Sequence, residues 1–190
     1  MLPYIIINVA MSLNGKISSG AGRYPISGIA DMERVKILRS SVDAVLVGAN
    51  TVMIDDPVIH GAANRIVLDG QFKLSSGYRI FDQSASTYIF SLKQKYIENV
   101  KTVVIDNTDI SGIMEKVYDL GMKRVLVEGG SQVILQFLKS RIFDEFYIYV
   151  NPGILLSGTP LFPNMDINNI EYTAEIFGKG ILLSIKSIHI

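Results

Sequence analysis

The sequence contains no cysteine and only two histidines among 190 residues. The lack of cysteine excludes disulfides and thiolate metal sites, and it fits a reducing, cytoplasmic setting. His60 and His189 alone are too few for a histidine-rich zinc or iron site. We therefore expect a cytoplasmic protein without a metal centre.

An excess of charge and a long apolar run are also missing. The 18 basic and 18 acidic residues cancel, so there is no general attraction to nucleic acid or to an anionic membrane. No apolar run approaches the roughly 18 residues of a membrane helix. The N-terminal stretch MLPYIIINVAMSLNGK has no basic residue ahead of its apolar run, which predicts a first strand rather than a signal peptide. The expected partner is a small molecule, held by local charges.

The apolar pattern predicts one α/β domain over residues 1–190, because a chain that is 48% hydrophobic can bury one good core. Alternating strands and helices favour parallel pairing with right-handed crossovers. Residues 171–177 and 181–190, joined by Gly178-Lys179-Gly180, predict an antiparallel hairpin. The expected fold is one mixed sheet, mostly parallel with antiparallel C-terminal strands, and helices on its faces. Strands are predicted at 4–10, 43–48, 65–69, 87–91, 101–106, 123–128 and 144–150, and helices at about 30–40, 110–120 and from 131.

Two of the predicted helical segments have candidate capping residues. Ser27 or Asp31 precedes or begins the helix near residue 30. Asn50 is placed to cap a short helical turn that Pro57 closes.

Polar residues and glycines follow five of the predicted strands. Ligands gather at the carboxyl ends of parallel strands, where loops and helix N-termini meet. Each of these groups alone reads as an ordinary turn or cap, but five at one edge favour a shared site. The groups are Asn8 with Ser12, residues 48–56, Asp69 with Gly70, Ser91, and residues 128–131.

The segment VLVEGGSQ, residues 125–132, has two interpretations. Gly129 and Gly130 either form a tight turn that requires positive φ, or let backbone amides approach an anion at the N-terminus of the helix from Ser131. A carboxylate at the end of a buried strand, such as Glu128, is costly unless it is paired or bound to a ligand donor.

Two further charged groups also have two interpretations. Asp55 and Asp56, before a proline, are typical of a solvated turn, although they could also serve a ligand. Arg39 either binds C-terminal carbonyls of its helix or binds a substrate phosphate.

Three common nucleotide-site motifs are absent from the sequence. There is no G-x-G-x-x-G after a strand, no G-x-x-x-x-G-K-[ST], and no H-x-E with P-C-x-x-C. These absences argue against a standard Rossmann domain, a P-loop NTPase and a zinc deaminase.

Several stretches together resemble the riboflavin-pathway pyrimidine reductases, a family with a fold like dihydrofolate reductase. They are IINVAMSLNGKI, LRSSVDAVLVGANTVMIDDP, RIVLDG, VLVEGGSQVILQFLKSRIFDEFYIYV and GKGILLSIK, in this order. The resemblance implies a homodimeric enzyme that transfers hydride from NADPH to the ribosyl C1′ of a phosphoribosylaminopyrimidine. Asn8 stands where many members have lysine. With the missing deaminase motif, it favours a stand-alone archaeal or fungal type acting on the 2,5-diamino-pyrimidinone.

The resemblance also implies site residues. The substrate contacts are expected at Asn8, Ser27, Arg39 and Glu128, with Arg39 on the 5′-phosphate and Glu128 on the pyrimidine. The catalytic candidates are Glu128, Asp55 and Lys16, and the proton donor is open between Lys16, Asp55 and water. The cofactor contacts are expected at Ala10, Thr51, Asp55, Asp69, Gly70, Gly129, Gly130 and Ser131. From their placement alone, Ser91 and Lys93 are candidates for the 2′-phosphate of NADPH.

Two departures from the family pattern bear on the substrate. The usual phosphate-binding arginine after Asp-Asp-Pro is missing, and Arg65 or His60 is a candidate replacement. Gly70 replaces a common serine, so that contact would be through the backbone. The alternative functions are an NADPH-dependent reductase of another pteridine or pyrimidine, and a nucleotide-binding module without catalysis.

Overall fold

The computed structural model describes residues 1–19, 25–167 and 169–189. Its helices are α1 (Ile29–Ser40), α2 (Ala49–Asp55), α3 (Ile110–Asp119) and α4 (Ser131–Ser140). Its strands are β1 (Tyr4–Ser12), β2 (Ala44–Gly48), β3 (Asn64–Leu68), β4 (Ser86–Ser91), β5 (Val100–Val104), β6 (Arg124–Val127), β7 (Glu145–Asn151), β8 (Asn169–Phe177) and β9 (Gly180–His189). Within these ranges, no helix has the length and apolar character to cross a membrane.

The strands form one nine-stranded sheet in the order β5-β4-β3-β2-β6-β1-β7-β9-β8. Pairing is parallel from β5 through β7, and β9 runs antiparallel to both of its neighbours. The predicted mixed sheet with antiparallel C-terminal strands is therefore confirmed. The predicted elements agree with the observed ones within one or two residues, apart from α2, which is longer than the single turn expected.

The sheet is covered on both faces because its central strands are apolar at both parities. All five residues of β2 are buried. One face packs against α3 and α4, through residues such as Met114 and Phe137. The other face packs against α2 and the loops, through residues such as Val52 and Phe81. This double cover leaves the carboxyl edge of the parallel strands as the open side.

The predicted helix caps are wrong. Gly28 precedes α1 and Gly48 precedes α2, and neither helix start has a side-chain cap. Asn50 lies inside α2 instead of before it. Asp31 lies in the first turn of α1 and binds Arg34 instead of an amide.

Arg65 is a structural residue of β3. Its side chain is fully buried, and its guanidinium donates to the Ile59 carbonyl (3.1 Å), the Ile80 carbonyl (2.7 Å) and the Asp82 carboxylate (2.8 Å). Hydrogen bonds from Ser84 and Arg65 hold the pKa of Asp82 well below its usual range. Since these bonds use the guanidinium inside the protein, Arg65 does not replace a phosphate-binding arginine.

Candidate active site

A cavity of about 1030 Å³ lies over the carboxyl ends of β1, β2, β3 and β6. These strands are neighbours in the sheet, so their last residues meet at one edge. The volume and the position are those expected of a ligand site in a parallel sheet. The predicted site residues that line the cavity are Asn8, Ala10, Ser27, Arg39, Thr51, Asp55, Asp69, Gly70, Glu128, Gly130 and Ser131.

Other predicted residues do not line this cavity. Lys16 lies in the turn after β1 and forms an isolated bridge with Pro160. Ser91 is fully buried, and its hydroxyl donates to the Gly70 carbonyl (3.3 Å) and accepts from the Lys93 amide (3.2 Å). Ser91 therefore stabilises the turn at Gly70 through a buried hydrogen bond.

Two more predicted residues also lie outside the cavity lining. His60 is exposed and is not among the lining residues, so nothing in its position makes it the replacement phosphate ligand. Gly129 packs against β2, where an added Cβ would lie 3.2 Å from the Gly48 nitrogen. Gly129 is thus a close-packing position between two strand ends.

Gly130 has the backbone conformation that one of the two sequence interpretations of the glycine pair requires. Its φ of 72° lies in the left-handed region, so the predicted positive-φ turn is present. An added Cβ would lie 2.8 Å from the Thr51 hydroxyl oxygen, on the cavity wall. A side chain at Gly130 would therefore force Thr51 or the turn itself to shift at the cavity wall.

The N-terminus of α4 points unsatisfied donors at the cavity wall. No side chain caps this helix, and the Ser131 hydroxyl donates to the Pro160 carbonyl. The amides of Gly130, Ser131 and Gln132 make no hydrogen bond within the described part of the chain. Free amides together with the helix dipole favour an anionic ligand group here.

Glu128 and Arg39 form a two-point ion pair at the end of β6. Arg39 Nε donates to Glu128 Oε1 (2.8 Å), and Nη2 donates to Oε2 (2.6 Å). The side chains are 11% and 21% exposed, respectively. Burial lowers the pKa of Arg39, but the hydrogen bonds and charge of Glu128 outweigh it, so the pKa lies above its usual value. The pair explains how the strand tolerates a carboxylate, and each oxygen keeps lone pairs for a ligand.

The adjacent aspartates after α2 have different surroundings. Asp56 adopts a left-handed conformation with φ of 39° and accepts from the Arg79 amide (2.7 Å) and from Arg79 Nε (3.0 Å). Asp55 lines the cavity. Within the described ranges, no group of three or more histidine, aspartate or glutamate side chains is arranged to hold a metal ion.

Some residues at the cavity were missed by sequence reasoning. Lys73 lines the cavity beyond β3, and its ammonium forms no ion pair with the described residues. Lys73 follows the strand-end residue Asp69 by four positions, and this spacing could have indicated that Lys73 lies at the same edge of the sheet. Arg34 donates to the side-chain oxygen of Asn8 (2.6 Å) and also binds Asp31. The spacing of three residues between Asp31 and Arg34 was the signal for that pair.

The cavity fits a dinucleotide cofactor. It is long enough to join the end of β3 to the N-terminus of α4, as its lining includes both Gly70 and Ser131. The uncapped amides of α4 suit a pyrophosphate, and Gly130 places no side chain beside them. Lys73, three residues after Gly70, also lines the cavity and carries a positive charge.

Comparison with known proteins identifies the family. The profile of the family described as the RibD C-terminal domain matches residues 3–183. A relative from Methanothermobacter thermautotrophicus, a 2,5-diamino-6-ribosylamino-4(3H)-pyrimidinone 5′-phosphate reductase, is 34% identical over 82% of this chain and 80% of its own. The enzyme of the same name from Archaeoglobus fulgidus is 29% identical over 80% of this chain and 81% of its own.

A solved structure supports the fold assignment. The riboflavin biosynthesis reductase of Saccharomyces cerevisiae superimposes with a TM-score of 0.84, over 99% of this chain and 90% of its own, at 21% identity. The predicted dihydrofolate-reductase-like fold and the family resemblance are both confirmed. The chain belongs to the RibD C-terminal domain family, the reductases of riboflavin biosynthesis.

Proposed function

We propose that this chain uses NADPH to reduce the ribosylamino group of 2,5-diamino-6-ribosylamino-4(3H)-pyrimidinone 5′-phosphate to a ribitylamino group. The observation that carries this proposal is a single cavity that holds the Arg39–Glu128 pair and the open N-terminus of α4. The first feature suits an aminopyrimidine phosphate, and the second suits a dinucleotide. The names of the archaeal relatives support the choice of substrate.

The cofactor would lie along the strand ends. The amides of Gly130 and Ser131 would bind its pyrophosphate, while Thr51, Asp55 and the backbone of Gly70 would line its path. When bound, the nicotinamide supplies a hydride. The chain has to align two ligands and exclude water, because the reaction needs their reacting atoms in contact.

The substrate would lie against Glu128 and Arg39. A carboxylate accepts hydrogen bonds from adjacent N–H groups, so Glu128 suits the amino-substituted ring. The guanidinium of Arg39 suits the 5′-phosphate. The sugar would open to an imine, and a hydride at C1′ with a proton at nitrogen gives the ribitylamino product. Asp55 lines the cavity and is the proposed side chain for moving this proton, with water as the other candidate.

The test is NADPH oxidation by the purified protein with each candidate substrate. We expect turnover with the diamino-pyrimidinone ribosyl phosphate and much slower turnover with its deaminated uracil analogue. Turnover of dihydrofolate alone would overturn the proposal and favour a pteridine reductase. Tight NADPH binding without turnover of any aminopyrimidine would instead indicate a non-catalytic nucleotide-binding module.

The preference for NADPH over NADH is proposed to depend on Lys73. Replacement of Lys73 by alanine is expected to raise the KM for NADPH about tenfold and to leave the KM for NADH unchanged. Only NADPH has a 2′-phosphate, so only NADPH would lose an ion pair with the lysine. The matched control is Lys93→Ala, since Lys93 is exposed but does not line the cavity. If Lys93→Ala raises the KM for NADPH and Lys73→Ala does not, the 2′-phosphate lies near Ser91 and Lys93, as the sequence predicts, and the role of Lys73 is contradicted.

We also propose that the protein is a homodimer joined through β8 and β9. Tyr172 and Ile176 lie on one face of the edge strand β8 and are 56% and 89% exposed, next to the half-exposed Ile181 of β9. An apolar edge strand of this kind normally needs a cover. Ile176→Asp is expected to halve the mass measured by light scattering. Ile37→Asp, at an exposed position of α1, is the control, and a monomeric wild-type protein would contradict the proposal.

A further inference from the structure

Asn8 presents a fixed hydrogen-bond donor to the cavity. The residue lies in β1, is buried, and lines the cavity. Its side-chain oxygen accepts from Arg34 Nη2 at 2.6 Å. Its side-chain nitrogen donates to none of the described residues. Because a guanidinium only donates, the amide oxygen must face Arg34, and the NH₂ group is left for a ligand.

Arg34 itself is held from two further sides. Its Nε and Nη2 donate to one oxygen of Asp31, at 3.1 and 2.7 Å. Its guanidinium carbon lies 5.6 Å from the centre of the Tyr147 ring. The Tyr147 hydroxyl donates to Glu145 (2.5 Å), and this bond, with burial, raises the pKa of Tyr147 to about 12.

The Asp31–Arg34 ion pair carries a desolvation cost, because the Asp31 carboxylate is buried. Asp31 is 1% exposed, and its second carboxylate oxygen is buried without a hydrogen-bond partner. A buried ion pair of this kind contributes little net stability compared with apolar residues of the same size. Stability alone is therefore a weak explanation of the pair, and the further side-chain hydrogen bond that Arg34 makes is to Asn8.

Asn8 and Glu128 lie side by side at the sheet edge. They directly follow the register pair Ile7 and Val127 on the adjacent parallel strands β1 and β6. Their backbones are thus about 4.8 Å apart. Glu128 offers acceptors to the cavity and Asn8 offers a donor. Together they match a ring edge in which a carbonyl is next to an N–H, as in a pyrimidinone.

We propose that Asp31 and Arg34 are positioning residues that lock Asn8 as a donor to the carbonyl oxygen of the pyrimidinone. This inference rests on the proposed function, since it assigns part of the same substrate. Without Arg34, the Asn8 amide can turn over and present its oxygen to the substrate carbonyl. Two acceptors then face each other, and the ring binds less tightly.

The test is a double-mutant cycle between Arg34→Lys and Asn8→Ala, read as the substrate KM. Lysine keeps the charge beside Asp31, but its single ammonium replaces the Nε and Nη2 donors of a rigid plane, so it does not fix the orientation of the Asn8 amide in the same way. Asn8→Ala is expected to raise the substrate KM about tenfold, and Arg34→Lys about fivefold. In the Asn8→Ala background, Arg34→Lys should have no further effect, and the Kd of NADPH should stay unchanged in all variants.

Two controls separate positioning from folding. Arg124→Lys alters a guanidinium that also lies over a tyrosine, Tyr4, but at the start of β6 and away from the cavity. It should leave the substrate KM unchanged. Asn8→Asp keeps the acceptor for Arg34 and removes the donor, so it should raise the KM while the melting temperature is kept or increased.

Equal KM effects of Arg34→Lys in both backgrounds would overturn the inference and indicate a structural role. An unchanged KM in Asn8→Asp would overturn it as well. These outcomes differ from failure of the proposed function, in which the wild-type protein itself does not turn over the aminopyrimidine. In that case this inference fails as well.

Discussion

Replacement of Glu128 by glutamine is expected to lower kcat/KM for the aminopyrimidine by about 10- to 100-fold, the value of a charge-assisted hydrogen bond. The amide keeps one oxygen, so Arg39 retains an acceptor and the local fold should persist. What is lost is the negative charge and one of the two acceptors that face the ring. The Kd of NADPH should change by less than about twofold, because its contacts are proposed on the other side of the turn.

The matched control for Glu128→Gln is Glu33→Gln. Glu33 also pairs with a basic residue, Lys36, but both side chains are more than half exposed and Glu33 does not line the cavity. Neutralising Glu33 should change neither kinetic constant, since exposed pairs contribute little. Unchanged kcat and KM in Glu128→Gln would remove Glu128 from the proposed site.

Gly130→Ala is expected to raise the Kd of NADPH by more than about tenfold. The added methyl group would lie 2.8 Å from the Thr51 hydroxyl, on the wall where the pyrophosphate is proposed to lie. The same substitution places a side chain at a φ of 72°, which should lower the free energy of unfolding by about 1–2 kcal/mol. Fluorescence titration with NADPH and denaturant unfolding measure the two effects separately.

Gly121→Ala separates backbone strain from obstruction of the site. Gly121 follows α3 with a φ of 91°, and an added Cβ there would meet no atom within 4 Å. This variant should lose similar stability and bind NADPH like the wild type. If Gly130→Ala also binds NADPH with the wild-type Kd, the α4 N-terminus is not the pyrophosphate site.

The fold was largely predictable, because its strands and helices have clear apolar periods. The glycine turn at Gly130 was also readable, since the pair follows a buried strand and precedes an amphipathic segment. The order of the strands in the sheet was not predicted, because it depends on contacts between segments far apart in the sequence.

The errors at individual residues have a common physical cause. An arginine in a buried strand has the same sequence signature whether its donors meet carbonyls or a phosphate, and Arg65 turned out to meet carbonyls. The position of Asp31 in the sequence is typical of a helix cap, but its carboxylate binds the Arg34 side chain and not a backbone amide. The contact between Arg34 and Asn8 joins a helix to a strand 26 residues away, and no local pattern reports it.

The position of β1 in the sheet has a consequence for how the chain folds. β1 precedes every other strand of this sheet in the chain, but its neighbours are β6 and β7, which end at Val127 and Asn151. Both of its edges therefore lack partners until β6 has been made, and one edge lacks a partner until β7 has been made. Such long-range pairing slows folding and exposes a strand that can associate with other chains. The strand that carries Asn8 thus precedes both of its partners in the chain, and the sheet edge at the cavity is complete only after β1 and β6 have paired.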